Sequence, residues 1–384
     1  MAKRNTIKNG IAFTGKSWSY VLRIPNPATG KTKPSWVGGF ATEKDAKLAR
    51  DKARVSLATG DFVPVTSLTV GDYLTTWIKA HAQRIKPTTL YRYEEIIENY
   101  LIPCIGGVKL QQLRPHHIAS MYTDLMTKPA LSGKPLSRKT VHFYGSILKT
   151  ALKHAVEVDG YLNVNPATRV PLPNSQNPNL APWTFSELKQ FLVIARTHRL
   201  FFFYWLSAFT GARRGELLAL RWSDFDGSAI SITKNRTKAG KTTVENLTTK
   251  GGNNGQRRVK LDPDTVKEFN AHRLRQKQER LALGELWQDT GYVFVREDGL
   301  PLYVATPSDV FRKLSRKHGL RLTRVHDLRH LHATELLRQG EPLHVVANRL
   351  GHRDAMTTAT IYAHVSNEQA ETASLSFATA FNNG

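Results

Sequence analysis

Apolar residues near the amino terminus alternate with polar ones, and this alternation predicts a small sheet. Every second position from residue 18 is apolar: Trp18, Tyr20, Leu22 and Ile24. A period of two is typical of a strand with one buried face, and residues 35–38 fit a returning strand. Thr42, with Asp45 three residues later, predicts the start of a helix. The first 60 residues therefore indicate a small β-sheet with one helix.

Residues 67 to about 168 carry apolar positions at helical spacing throughout. The pattern predicts four helices, which start near Val70, Thr88, Pro115 and Arg138. The region is thus expected to form a helical bundle. Five prolines lie between residues 166 and 182, where no periodic apolar pattern exists. Residues 169–182 are therefore predicted to be an extended linker.

The rest of the chain mixes helices with short strands. Two capping-box patterns predict helix starts: Thr184 with Glu187, and Ser366 with Gln369. Residues 200–209 form the most apolar run, about half a membrane span, and predict a buried helix. Three segments are expected to form one small sheet: 228–233, 242–249 and 256–261. Helical spacing resumes from Pro263.

Charge adds a partner to this picture. The 384-residue chain carries 55 Lys and Arg against 31 Asp and Glu, a net charge of +24, and its pI is near 10.1. The first 60 residues hold twelve basic and three acidic residues, a net of +9. Such an excess costs self-repulsion and favours a polyanionic partner, above all nucleic acid. A small basic sheet is also suited to the major groove of DNA.

Cysteine content and apolar runs indicate the compartment. The single Cys104 excludes an internal disulfide framework and the usual cysteine-based zinc sites, and it fits a reducing, cytoplasmic setting. The basic amino terminus is not followed by an apolar segment of signal-peptide length. We therefore expect a cytoplasmic protein with no membrane contact.

Arg213 is the first candidate for phosphate chemistry. It follows the turn Thr210-Gly211 and is predicted to lie in the first turn of a helix. Helix N-termini favour anions, and a guanidinium adds bidentate recognition of phosphate. A structural ion pair with Glu216 or Asp224 is the alternative interpretation of this arginine.

A second candidate group is formed by His326, Arg329 and His330, which share one helical face at positions i, i+3 and i+4. A zinc site of the zincin type is disfavoured because Asp327 stands where the general-base glutamate belongs. Mixed histidine and arginine side chains are better suited to a phosphate than to a cation. No metal is therefore expected.

Two further segments carry candidate residues or motifs. His352 follows a predicted helix stop at Leu350-Gly351, and Tyr362 lies on the next helical stretch. Residues 240–242 resemble the end of a phosphate-binding loop, but Asn235 replaces its first glycine. Nucleotide binding is therefore excluded, and no cofactor is expected.

In order and spacing, Arg213, the His326/Arg329 pair, His352 and Tyr362 resemble the tyrosine recombinase family, in particular phage or integrative-element integrases. The resemblance implies a multidomain, mainly α fold with small β-sheets. It implies four segments: an arm-type DNA-binding domain of sheet plus helix (1–65), a helical core-binding domain (66–168), a linker (169–182) and an α+β catalytic domain (183–384).

The resemblance also implies a role for each residue. Arg213 and Arg329 would hold the scissile phosphate, and His326 and His352 would hydrogen-bond it and assist proton transfer. Tyr362 would attack to give a 3′-phosphotyrosyl link. Lys250 is the best match to the family's general-acid lysine, which would protonate the departing 5′-oxygen; Lys238 and Lys241 remain alternatives. The expected function is site-specific DNA recombination that integrates or excises a mobile element, without metal or ATP.

The partners expected from the resemblance are double-stranded DNA at core and arm sites, and three further copies of the chain in a homotetramer on DNA. A DNA-bending protein and a directionality factor are also expected. The protein itself is expected in the cytoplasm of a bacterial host cell, associated with the nucleoid. Two other functions stay open at this point. One is a nicking and closing enzyme of the type IB topoisomerase kind, and the other is a non-catalytic architectural DNA-binding protein.

Overall fold

The structure is a computed structural model that describes residues 9–25, 31–60, 62–131, 133–174, 183–240, 242–246 and 255–352. The chain divides into two compact units, Met1–Asn177 and Pro178–Gly384. Helices dominate both units and the strands form small separate sheets, so the predicted mainly helical fold is confirmed. Within the described residues, no helix combines the length and the apolar character that a bilayer crossing needs.

The first unit begins with a three-stranded antiparallel sheet. Its strands pair in the order β1, β2, β3, with bounds Ile11–Phe13, Trp18–Pro25 and Thr32–Phe40, and helix α1 (Glu43–Thr59) follows. Thr42 caps α1 by accepting the Asp45 N–H at 3.1 Å, as predicted. One sheet face packs on α1 through Tyr20 and Leu22. The pattern missed β1, which is only three residues long.

A helical bundle completes the first unit. Its helices are α2 (Val70–His81), α3 (Pro87–Ile96), α4 (Ile102–Ile105), α5 (Pro115–Thr127) and α6 (Arg138–Glu157), and a π-helical turn, Ile97–Leu101, joins α3 to α4. The second helix starts at Pro87 rather than Thr88 because proline is pre-organised for the first helical position. Val170 is buried in the bundle core, so the start of the predicted linker packs on the bundle. Residues 175–182 lie outside the described residues.

The described second unit has seven helices, and the first six pack around an aromatic core. The seven are α7 (Phe185–Ala195), α8 (Phe201–Thr210), α9 (Arg214–Ala219), α10 (Pro263–Leu283), α11 (Thr306–Lys317), α12 (Val325–Arg338) and α13 (Leu343–Leu350). The capping box of Thr184 and Glu187 starts α7 as predicted. Helix α8 is apolar on almost every face and is buried in contact with α10 and α12. It therefore holds the turn that precedes α9 in a fixed place.

The strands of the second unit correct one prediction. β4 (Ala229–Ile232) pairs with β7 (Arg257–Lys260), while β5 (Asn235–Ala239) pairs with β6 (Thr242–Asn246). The expectation of one sheet made from three segments was therefore wrong. The pattern missed β5 because its residues, Asn-Arg-Thr-Lys-Ala, show no apolar alternation. Residues 247–254, between β6 and β7, lie outside the described residues.

Candidate active site

Arg213 lies in the turn between α8 and α9. Gly211 ends α8 with φ at +63°, and a Cβ there would lie 2.5 Å from Leu350 Cδ2. Arg213 has extended backbone, φ −71° and ψ 147°, so it precedes α9 as its N-cap residue instead of lying in the first turn. Its side chain is 21% exposed. The guanidinium is thus held by the protein and still reachable from solvent.

Glu216, in the first turn of α9, holds Arg213 twice. Its Oε2 accepts the Arg213 N–H at 2.9 Å, and its Oε1 accepts from Arg213 Nη1 at 2.8 Å. The same Oε2 accepts from Arg257 Nη2 at 2.8 Å. Burial alone would raise the pKa of this carboxyl, but Arg257 and then Arg213 outweigh burial and lower the pKa. The ion pair with Glu216 and the candidate site are therefore two parts of one arrangement.

Arg329 reaches the same turn from α12. Asp327 fixes the start of α12 by accepting the Arg324 N–H at 2.8 Å and the Thr323 hydroxyl at 2.7 Å. One helical turn places Arg329 toward the interior, where it is 2% exposed. Its guanidinium donates to Gly211 O at 2.8 Å and to Leu350 O at 2.6 Å. Arg329 therefore connects the turn after α8 to the end of α13.

Three arginines converge on the carboxyl end of α13. Arg257 Nε donates to Arg349 O at 2.7 Å, Arg329 to Leu350 O, and Arg213 Nη1 and Nη2 both to Gly351 O at 3.4 Å. The last carbonyls of a helix lack partners within it and carry the negative end of the helix dipole, so guanidinium groups satisfy them well. Gly351 ends the helix with φ at +66°. His352, the next residue, is thereby placed beside the arginines.

The candidate histidines are held in their neutral form. Loss of hydration, followed by Arg329 and Arg213, lowers the pKa of His352 to about 4. His326 is exposed at the surface, yet loss of hydration, His330 and Arg329 lower its pKa to about 4. The ring centroids of His326 and His330 are 5.1 Å apart, and the ring planes are nearly perpendicular. A neutral imidazole donates one hydrogen bond and accepts another, which suits proton transfer at a phosphate.

The described part of the site thus holds Arg213, His326, Arg329 and His352. Lys250 and Tyr362 fall outside the described residues, as do Lys241 and the predicted helix from Ser366. Lys238 is exposed on β5. Among the described residues, no cluster of three His, Cys, Asp or Glu side chains has the arrangement of a metal site.

Sequence reasoning missed two supporting arginines. Arg257 contacts Glu216, and Arg349 donates to His332 Nε2 at 3.1 Å and to Phe209 O at 3.1 Å. Neither arginine is close in sequence to the residue it holds, so no local pattern indicates it. The one local signal was the spacing of Arg213 and Glu216, which fits a helix start with an acid at its third position. That spacing indicates the pair of Arg213 with Glu216, but not the two supporting arginines.

Three family profiles match consecutive parts of the chain. Residues 11–54 match an arm DNA-binding domain, residues 69–126 match the N-terminal SAM-like domain of phage integrases, and residues 183–369 match the phage integrase family. Among curated relatives, a XerC-like tyrosine recombinase of Caldanaerobacter subterraneus subsp. tengcongensis is 29% identical over 95% of this chain and 96% of that protein. The ICEBs1 integrase of Bacillus subtilis is 30% identical over 75% of this chain and 77% of that protein.

The chain belongs to the phage integrase family of tyrosine recombinases.

Solved structures agree on the fold of this integrase. The Tn1549 transposon integrase, in complex with a circular intermediate DNA, has a TM-score of 0.67 at 19% identity and covers 80% of this chain and 100% of its own. A λ integrase tetramer bound to a Holliday junction has a TM-score of 0.58 at 19% identity, covering 94% and 96%. The solved structures confirm the fold, and the family match with the curated relatives confirms the family and its function in site-specific DNA recombination by mobile elements. As a tyrosine recombinase, the chain cleaves and rejoins DNA.

Proposed function

We propose that this integrase cuts and rejoins DNA at a phosphate held by Arg213 and Arg329, with Tyr362 as the nucleophile. The observation that carries the proposal is the convergence of Arg213, Arg329 and His352 at the carboxyl end of α13. These groups come from three separate elements. Their meeting at one point, with cationic and neutral donors side by side, supports a site for a single phosphate.

The reaction follows from the charges. The Tyr362 hydroxyl gives its proton to a neutral imidazole of His326 or His352, and its oxygen bonds to phosphorus. The bond from phosphorus to the 5′-oxygen breaks, and Lys250 gives its proton to that oxygen. Negative charge grows on the nonbridging oxygens in the transition state, where preorganised arginines stabilise it most. The guanidinium groups supply the positive charge that a metal ion provides in other phosphoryl-transfer sites, so we expect no metal requirement.

Rejoining is the same step in reverse. A free 5′-hydroxyl attacks the 3′-phosphotyrosyl ester, the strand is resealed and Tyr362 is released. The ester keeps the energy of the broken bond, so we expect no requirement for ATP. Because His326 and His352 are neutral near pH 7, each has one N–H to donate to the phosphate and one nitrogen to accept a proton.

We also propose a role for each domain predicted from sequence. Residues 1–65 bind accessory arm sites, and residues 66–168 and 183–384 bind the core site, with 169–182 as the linker. Four copies act together on two duplexes, in the nucleoid of a bacterial host. A DNA-bending protein and a directionality factor set the geometry and the direction. The net charge of +9 in the first 60 residues supports the first of these roles.

Covalent trapping tests the nucleophile. Core-site DNA is first selected from a random-sequence pool by binding to the full chain, and is then nicked so that the cleaved fragment diffuses away. The protein should form a detergent-resistant adduct, and mass spectrometry should find the nucleotide on Tyr362. Tyr362→Phe should bind the duplex without forming the adduct. An adduct at any other residue would disprove the assignment.

A topoisomerase-like activity is the second candidate, because it uses the same chemistry. The separate basic arm module favours recombination, since nicking and closing needs no second DNA site. Relaxation of supercoiled plasmids of arbitrary sequence, at the rate seen on plasmids that carry the selected core site, would favour the topoisomerase instead.

A further inference from the structure

Arg257 is a buried residue whose hydrogen bonds reach the immediate neighbours of two candidate catalytic residues. It begins β7, and its side chain is 7% exposed. Every nitrogen of its guanidinium is used: Nε donates to Arg349 O at 2.7 Å, Nη1 to Gly255 O at 3.1 Å and Nη2 to Glu216 Oε2 at 2.8 Å. With each guanidinium nitrogen bonded to an acceptor within the protein, Arg257 is placed to orient the groups around it.

Two of these bonds lead directly to candidate catalytic residues. The Glu216 carboxylate, held on one side by Arg257, holds Arg213 on the other. The Arg349 carbonyl belongs to the last turn of α13, three residues before His352. The same guanidinium also packs on Gly351, where a Cβ would come within 2.7 Å of Arg257 Nη1. One side chain therefore fixes the partner of Arg213 and the helix end that carries His352.

Charge supports this arrangement as well as geometry. Glu216 is 2% exposed and lies between two guanidinium groups. Without Arg257, the carboxylate would have Arg213 as its remaining charged neighbour and would draw that guanidinium toward itself and away from a phosphate. Two cations sharing one carboxylate leave a net positive charge, which keeps Arg213 available for an anion.

We propose that Arg257 is a positioning residue for DNA cleavage, which sets the guanidinium of Arg213 through Glu216 and the imidazole of His352 through the end of α13. This inference rests on the proposed function of Arg213 and His352. It requires the two-sided fork of a guanidinium, because one ammonium group does not reach both acceptors in the same geometry.

The first test separates cleavage from binding in the full chain. Arg257→Met should lower the single-turnover rate of adduct formation at saturating core-site DNA by about 100-fold, as expected for misplaced catalytic groups. Its DNA Kd should stay within about threefold of the wild-type value, like that of other substitutions that touch no DNA. The matched control is Arg258→Met, since Arg258 is the next residue of β7, is 58% exposed and pairs with Asp226. This control should cleave at the wild-type rate.

Arg257→Lys guards against simple unfolding, because it keeps the charge in place. This variant should retain the wild-type Tm within a few degrees and still cleave about tenfold more slowly. If Arg257→Lys is folded and cleaves at the wild-type rate, or if Arg257→Met and Arg258→Met behave alike, the inference is wrong. Absence of an adduct with the wild-type chain would instead refute the proposed function.

A DNA substrate with sulfur in place of the 5′-bridging oxygen gives a second readout, the recovery of the cleavage rate. This readout separates positioning of Arg213 and His352 from a general structural role of Arg257. Sulfur leaves without protonation, so Lys250→Ala should recover its cleavage rate on this duplex. Arg257→Met should remain slow, because the phosphate still needs Arg213 and His352. Recovery of Arg257→Met to the extent seen for Lys250→Ala would show that Arg257 serves only the lysine segment before β7, and would overturn the proposal.

Discussion

A carboxylate inside the proposed phosphate-binding site needs a physical reason, since it would repel the ligand. Glu216 has one, because each of its oxygens orients a guanidinium. A free arginine side chain carries about 2 kcal/mol of rotamer entropy, and a phosphate must otherwise absorb that cost when it binds. The carboxylate fixes Arg213 before DNA arrives. Glu216 would therefore repel the phosphate to some extent, but it also preorganises Arg213.

Glu216→Gln tests this interpretation. The substitution keeps the shape of the side chain and removes its charge, which leaves the buried Arg257 and the partly exposed Arg213 without this counter-ion. Breaking a buried pair in this way costs about 3–5 kcal/mol, and adduct formation should slow as Arg213 loses its orientation. Urea unfolding and trapping measure the two effects. Asp309→Asn, which removes an exposed pair with Arg312, should cost at most about 1 kcal/mol, and equal losses in both variants would contradict the role of Glu216.

Three histidines make stability depend on pH in a defined direction. Burial lowers the pKa of His272 and of His332 to about 3, and the pKa of His352 lies at about 4. The unfolded chain therefore binds protons below pH 6.5 that the folded chain does not. The stability from these histidines is complete above pH 6.5 and is lost as the pH falls toward 4.

We expect the free energy of unfolding, measured in urea at several pH values from 7 to 5, to decrease as the pH falls. His332→Gln removes one of the three groups and should reduce that slope by at most about 1.4 kcal/mol per pH unit. Its total stability should also fall, because His332 accepts from Arg349. A wild-type stability that is flat or rises toward pH 5 would refute the prediction.

At the scale of elements, the carboxyl end of α13 is the meeting point of the site. The carbonyls of its last two residues and of the capping Gly351 accept from arginines on β7, on α12 and at the start of α9. The helix must stop there, and Gly351 supplies the left-handed backbone that turns the chain toward His352. The tight contact with Arg257 makes glycine necessary for space as well as for conformation.

Gly351→Ala and Gly340→Ala separate these two reasons. Gly340 also has positive φ, at +85°, but a Cβ there would meet nothing within 4 Å. Both substitutions should cost about 1–2 kcal/mol through backbone strain. Only Gly351→Ala should also slow adduct formation, because its Cβ displaces the guanidinium of Arg257. Equal cleavage rates in the two variants would show that the contact is unimportant.

Sequence patterns predicted helix starts well, because caps are local: Thr42 and Thr184 both accept hydrogen bonds where expected. They also indicated Arg213, His326, Arg329 and His352, which the structure brings together. They did not reveal β5, whose polar residues owe their pairing to β6. Nor did they reveal Arg257, two of whose partners, Glu216 and Arg349, lie 41 and 92 residues away. Contacts of that range depend on the assembled core and leave no periodic trace.

For the whole molecule, we propose that residues 1–65 bind arm sites and that residues 66–168 and 183–384 act at the core site. The sheet of the first unit has one face against α1, through Tyr20 and Leu22. Its other face includes Arg23, and also Trp36, which is opposite Val21 and 51% exposed. An exposed cation beside an exposed indole is suited to DNA contacts, since arginine binds phosphates and base edges.

Substituting Arg23 and Trp36 together by alanine should therefore weaken arm-site binding and leave core-site cleavage intact. Loss of one phosphate contact should also reduce the slope of log K against log salt by about one. Footprinting of arm sites and trapping on isolated core-site duplexes measure the two activities in the same full-length chain. The control is Leu48→Ala on the outer side of α1, which removes an apolar side chain of 57% exposure and should change neither. If the double variant loses core cleavage as well, the arm sheet contributes to the core complex, and the proposed separation of roles is wrong.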